Sequence, residues 1–72
     1  QGDPEEAEME TTKAIELAPD YGEAYYNRGL AFFDLGEREK AIADLEKALE
    51  LWQEEGNQEG VEAAEKQISL LK

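Results

Sequence analysis

The sequence predicts an all-α domain of about four helices, arranged as antiparallel helix pairs. Apolar residues recur at spacings of three and four, which place one side chain per turn on a single helix face. Glycine and proline interrupt this periodicity at intervals typical of short helices. The chain also matches itself when it is shifted by 34 residues, and such a period is typical of stacked helical units.

The composition narrows the classes of function. The 72 residues include no cysteine and no histidine, which removes disulfides, thiolate ligands and the commonest general base and zinc ligand. Nineteen acidic residues against seven basic ones give a net charge of −12. This charge argues against nucleic acid and anionic membranes as partners. It favours either a basic protein partner or simply solvated helix faces, and the even spread of the charges favours the second.

The ends and the apolar runs give two further expectations. The first residue is Gln1 and not methionine, so we expect a fragment or a processed form of a longer protein. No secretory signal opens the sequence, and no apolar run is long enough to span a bilayer. The cytoplasm is therefore the default expectation for localisation.

The first helix is predicted from Pro4 to Ala18. Asp3 precedes Pro4, and this order places a capping carboxylate before a proline at the first helical position. Pro19 ends the helix. Asp20 is then the predicted cap of the second helix.

The second and third helices are predicted from Tyr21 to Leu35 and from Glu37 to about Glu54, with Gly36 as the stop between them. Gly29 lies in the middle of the second helix, where glycine costs about 1 kcal/mol relative to alanine. We therefore expect a neighbouring helix to approach closely there. The two apolar stripes that would face each other are Tyr25, Gly29, Phe32 and Leu35, and Ala41, Leu45, Ala48 and Trp52.

The end of the chain is predicted to form a fourth helix. Gly56 stops the third helix, and Asn57 caps a helix from about Gln58 to Leu71. Its apolar stripe is Val61, Ala64, Ile68 and Leu71. Trp52 is expected in the core against this stripe. On the outer face of the third helix, Lys40 is expected to pair with Glu37 and Asp44.

The 34-residue self-match divides the chain into three parts. Residues 1–20 correspond to the second helix of a partial repeat, residues 21–55 to a complete repeat, and residues 56–72 to a capping helix. A terminal cap shields the last apolar face of a helical stack. Between the first part and the second, the identical pairs are Gly2 and Gly36, Glu5 and Glu39, Ala7 and Ala41, Lys13 and Lys47, Ala14 and Ala48, Glu16 and Glu50, and Leu17 and Leu51.

This period and these residues resemble the tetratricopeptide repeat family. The family pattern of aromatic, small and apolar positions is met by Tyr25, Gly29, Phe32, Ala41, Leu45 and Ala48. Arg28 stands where the family has leucine, and Gln53 where it has proline. The resemblance implies a right-handed α-α superhelix with a concave groove that holds an extended or helical peptide.

The resemblance also implies which residues line this groove. They belong to the second helix and are Glu23, Tyr26, Asn27, Leu30, Phe33 and Asp34. Independently of the family, Tyr26, Leu30 and Phe33 lie at i, i+4 and i+7 and form a second apolar stripe. Such a stripe is either an interface or core covered by another helix.

The charges near the groove predict the kind of ligand. Asn27 matches the asparagine with which some family members clamp a terminal carboxylate, but Glu23 and Asp34 would repel a carboxylate. We therefore expect a peptide or helix with an apolar face and basic flanks. The alternative role for Asn27 is a backbone hydrogen bond inside the helix pair.

The sequence predicts a non-catalytic module without a cofactor or metal. Ser69 is the one serine, and no histidine is present to activate it. No calcium loop or phosphate-binding loop occurs. The predicted function is a protein–protein interaction scaffold. Self-assembly into a homo-oligomer and a regulatory segment of a larger protein are the alternatives.

Overall fold

The computed structural model describes residues 3–72 and contains four α-helices, with no strand in this range. The all-α fold class is therefore confirmed, and the helix bounds differ from the predicted ones by one residue at most. The self-match of Gly2 with Gly36 lies partly outside the described residues. The helices are α1 (Pro4–Leu17), α2 (Gly22–Asp34), α3 (Arg38–Glu55) and α4 (Gln58–Leu71).

Side chains cap two of the helix starts, as the sequence predicts. The Asp3 carboxylate accepts a hydrogen bond from the Glu5 backbone N–H at 3.0 Å. Asn57 accepts one from the Gly60 N–H, also at 3.0 Å. The predicted cap of α2 is wrong. This helix begins one residue later than expected, so Tyr21 and not Asp20 holds the capping position, and it makes no side-chain capping bond.

Gly36 and Gly56 form the turns between α2 and α3 and between α3 and α4. Their φ angles are 82° and 74°, in the left-handed region that a side chain with a Cβ disfavours. The Asn57 N–H then bonds back to the Trp52 carbonyl at 2.9 Å, which satisfies a carbonyl at the end of α3. Both glycines therefore end their helices, as predicted.

The helices pack in chain order, with α2 between α1 and α3, and α3 between α2 and α4. Leu45 is fully buried and lies against Gly29: a Cβ on Gly29 would be 3.0 Å from Leu45 Cγ and 3.1 Å from the Ala41 carbonyl oxygen. The predicted close approach at Gly29 is confirmed. The buried apolar residues are mostly small and are Ala24, Ala31, Ala41, Leu45, Ala48, Leu51, Val61, Ala64 and Leu71.

The first helix is less buried than the other three. None of its residues is fully buried, whereas α2, α3 and α4 each contribute several residues to the interior. Met9 and Leu17 on α1 are 66% and 81% exposed. Within residues 3–72, no helix has the length and apolar character needed to cross a membrane.

Candidate protein-binding surface

The six groove residues that the sequence predicts all lie on α2, and we call them the α2 face. They are Glu23, Tyr26, Asn27, Leu30, Phe33 and Asp34. Its polar and charged members are exposed to solvent, and so is about half of Phe33, at 49%. Tyr26 and Leu30 are half-buried. The apolar stripe is therefore neither fully open nor sealed as core, and its most accessible part is the Phe33 ring.

Tyr26 is partly covered by an aromatic residue of α3. The rings of Tyr26 and Trp52 are tilted by 48°, and their centroids are 5.5 Å apart. Tyr26 also packs against the cluster formed by Ala41, Leu45 and Leu71. This residue therefore joins the α2 face to the core, while Phe33 projects from it.

Trp52 lies between the starts of α2 and α4. A Cβ on Gly22 would be 2.9 Å from the indole Nε1, and a Cβ on Gly60 would overlap the ring. Both glycines are buried and leave room for the indole. Trp52 is expected in the core from the sequence, but the side chain is only half-buried. The sequence signal for this arrangement is the pair of glycines in the first turns of α2 and α4.

Tyr21 and Asn27 are two polar residues next to or within the α2 face. The Tyr21 hydroxyl donates a hydrogen bond to the Glu23 carboxylate, and this bond together with the negative charge raises the pKa of Tyr21. Tyr21 remains 48% exposed. Asn27 makes no side-chain hydrogen bond within residues 3–72 and is exposed, so its alternative role inside the helix pair is wrong.

The opposite side of α2 carries an ion pair that the sequence analysis missed. Arg28 donates from Nε and Nη2 to the two oxygens of Asp44 at 2.7 and 2.9 Å, and from Nη1 to Thr12 Oγ1 at 3.3 Å. Asp44 is buried, at 7% exposure. The predicted pair of Lys40 with Asp44 is therefore wrong. Lys40 pairs with Glu37 at 3.4 Å, as expected.

Aromatic rings enclose the Arg28 guanidinium, whose carbon lies 5.9 Å from the Tyr25 ring centroid and 5.5 Å from that of Phe32. The hydrogen bonds to Asp44 raise the pKa of Arg28, against the opposing effect of burial. Arg28 therefore connects α1, α2 and α3 with its charge already paired, and is not available to a ligand.

The middle of the chain matches a known family. The family model described as "Tetratricopeptide repeat" matches residues 22–54, the segment that contains α2 and all but the last residue of α3. Residues 22–54, which are 33 of the 72 residues, are therefore similar to a tetratricopeptide repeat. Repeats of this family generally act as protein–protein interaction modules and are generally non-catalytic. Within this repeat, the small residue that lets the two helices approach is Gly29.

A curated protein is also similar to part of the chain. Protein FlbA of Caulobacter vibrioides is 51% identical over 37 residues, which are 51% of this chain and 6% of the relative. The match is therefore similar in extent to a single tetratricopeptide repeat and covers a small part of a much longer protein. No solved structure matches the chain.

The acidic residues of the described part of the chain do not form a metal-binding group. No group of three or more acidic residues within residues 3–72 is placed to hold a metal ion. The α2 face has an accessible aromatic ring, an amide and two carboxylates. Groups of these kinds make apolar contacts, hydrogen bonds and ion pairs at protein interfaces in general.

Proposed function

We propose that this chain is a non-catalytic interaction module that binds a peptide or helix of a partner protein through the α2 face. The observation that carries the proposal is Phe33: it is 49% exposed on the first helix of a tetratricopeptide repeat. Exposed aromatic side chains are over-represented among the anchors of protein interfaces. Leu30, half-buried one turn before Phe33, extends the apolar contact.

The charges around Phe33 support a partner with basic flanks. Glu23 and Asp34 are exposed near the two ends of α2. The one basic residue of α2 is Arg28, which is paired with Asp44 on the other side. Opposite charges on the two partners speed association and suppress wrong partners. The same carboxylates disfavour a terminal carboxylate as the ligand of Asn27.

The proposal is tested with synthetic amphipathic peptides made of leucine and lysine, compared with peptides of leucine and glutamate. Calorimetry with the full chain should show binding of the lysine peptide only. Phe33→Ser should weaken this binding by about tenfold, because loss of an interface anchor costs about 1–2 kcal/mol.

The control variant is Leu70→Ser. Leu70 is an exposed apolar residue like Phe33, at 70% exposure. It lies on α4 and is not part of the α2 face. It should leave the affinity unchanged. Equal weakening by the two variants, or equal binding of both peptides, would contradict the proposed surface.

Self-assembly is the second candidate, and the exposed Met9 and Leu17 side chains of α1 favour it. The net charge of −12 opposes it, because copies of the chain repel each other. Sedimentation at several protein concentrations separates the two functions. If the molecular weight remains that of a monomer at high protein concentration and high salt, self-assembly into a homo-oligomer is excluded.

A further inference from the structure

We infer that Trp52 of α3 belongs to the partner-binding surface and that, with Tyr26 and Glu23, it binds a lysine or arginine side chain of the partner. This inference rests on the proposed function and names a chemical group that the surface takes. It also extends the surface beyond the six residues of the α2 face to a second helix.

The polar atoms of the aromatic pair are not completely enclosed by the protein. Tyr26 Oη and Trp52 Nε1 make no hydrogen bond within residues 3–72, yet no buried side-chain nitrogen or oxygen in this range lacks a partner. Both atoms therefore keep some contact with solvent, although their side chains are half-buried and Trp52 Nε1 lies beside Gly22. Tyrosine and tryptophan that are apolar at one end and wet at the other are enriched at interfaces.

The indole is held in place before any partner arrives. Gly22 and Gly60 leave no free space beside the ring, and the Tyr26 ring packs on it with centroids 5.5 Å apart. A side chain that is already ordered loses little conformational entropy on binding. Trp52 therefore combines an accessible edge with a fixed orientation.

The surroundings of the aromatic pair are acidic. Glu23 follows Gly22, Glu59 precedes Gly60, and both glutamates are exposed. Residues 48–65, which span the end of α3 and most of α4, contain six glutamates and no lysine or arginine, and Glu50 among them is paired with Lys47 at 3.5 Å. A cation of the partner thus meets favourable charge and an aromatic pair suited to cation–π contact.

The donors and acceptors match a basic residue within a polypeptide. The aliphatic stem of lysine or arginine can lie on the rings while its charge meets Glu23. Trp52 Nε1–H can donate to a backbone carbonyl of the same segment. Phe33 lies seven residues after Tyr26, about 10 Å along the helix axis. The partner is therefore expected to place an apolar residue about that distance from its basic one.

The first experiment needs no partner, because Trp52 is the one tryptophan in the chain and its fluorescence reports on this site alone. Acrylamide should quench it. When each ion is scaled to its quenching of free N-acetyltryptophanamide, caesium should quench it more strongly than iodide, since the glutamates attract cations and repel anions. Absence of quenching by acrylamide, or a scaled quenching by iodide equal to that by caesium, would overturn the inference.

The second experiment uses the leucine–lysine peptide and a matched leucine–glutamine peptide. The lysine peptide should shift the Trp52 emission and bind at least about fivefold more tightly. Glu23→Gln and Trp52→Phe should each weaken the lysine peptide by about fivefold in calorimetry. Glu10→Gln, which makes the same charge change on α1, should not. Thermal unfolding of each variant shows whether the fold is kept.

The outcomes separate this inference from the proposed function. If Phe33→Ser weakens binding while Glu23→Gln and Trp52→Phe do not, the inference is overturned and the proposed function stands. If none of these variants weakens binding, or if no basic peptide binds, both are overturned. If Trp52→Phe unfolds the chain, the inference is judged from the Glu23→Gln affinity and the quenching result. It stands only if Glu23→Gln weakens binding and the quenching is as expected.

Discussion

The Arg28 guanidinium and the Asp44 carboxylate meet at two points, Nε to Oδ2 at 2.7 Å and Nη2 to Oδ1 at 2.9 Å, and so join α2 to α3. Asp44 is 7% exposed, and a buried carboxylate without a partner is strongly unfavourable. Arg28→Ala should therefore lower the free energy of unfolding by about 3 kcal/mol. Urea unfolding followed by circular dichroism measures this loss.

The matching control replaces both charges in the variant Arg28→Leu with Asp44→Leu. Exchange of a buried ion pair for apolar residues is often neutral or stabilising. We expect the double variant to be at least as stable as the parent chain, since leucine is the family residue at the Arg28 position. A double variant as unstable as Arg28→Ala would show that the pair itself, and not an unpaired Asp44, dominates.

Gly29→Ala should destabilise the chain although alanine is the better helix former. The new Cβ would lie 3.0 Å from Leu45 Cγ and 3.1 Å from the Ala41 carbonyl oxygen. One neighbour is a fully buried side chain and the other is backbone, so neither can move easily. Overpacking of about 2 kcal/mol should exceed the gain in helix propensity of about 1 kcal/mol.

The test of Gly29→Ala is a double-mutant cycle with Leu45→Ala. The smaller side chain makes room for the added methyl group, so the two losses in unfolding free energy should sum to more than the loss in the double variant. Additive losses would mean that the crowding is not against Leu45.

Gly60→Ala should disturb the junction of α3 and α4. The added Cβ would overlap the Trp52 ring, and either the indole or α4 must move. We expect a loss of about 2 kcal/mol in urea unfolding together with a change in tryptophan emission. Glu62→Ala, an exposed change on the same helix, should alter neither. Unchanged emission in Gly60→Ala would indicate that the helix moves and the ring does not.

The pKa of Tyr21 should depend on Glu23. The hydrogen bond to this carboxylate, and its charge, favour the protonated phenol and raise the pKa. Glu23→Ala removes both effects, so the pKa should fall towards the ordinary tyrosine value. An NMR titration of the tyrosine ring protons measures it. No change in the Tyr21 pKa would show that the hydrogen bond is not formed in solution.

The sequence predicts what local chemistry decides. The stops at Gly36 and Gly56 depend on backbone conformation, and the Asn57 cap depends on one side chain next to a helix start, so both could be found from neighbours in the chain. Gly29 could be predicted because an unfavourable residue in a helix needs a packing reason.

The sequence does not predict what distant residues decide together. From the sequence, Asp44 is an exposed acid one turn from Lys40. It becomes a buried ion-pair partner only because the fold brings it to Arg28, which lies 16 positions earlier in the chain. The sequence predicts Trp52 as a core residue. In the structure its ring packs against two glycines and Tyr26, and the side chain is only half-buried. Whether the α2 face binds a partner is likewise a property of two molecules, and it stays a prediction.

Because α1 is less buried than the other helices, the free energy of folding is unevenly distributed along the chain. This helix buries no residue fully. Its hydrogen bond from Arg28 to Thr12 is 3.3 Å long, longer than the bonds from Arg28 to Asp44. The least costly partial opening is therefore detachment of α1, with α2, α3 and α4 remaining folded. Amide hydrogens of α1 would exchange first. This opening would expose the side of α2 that α1 covers.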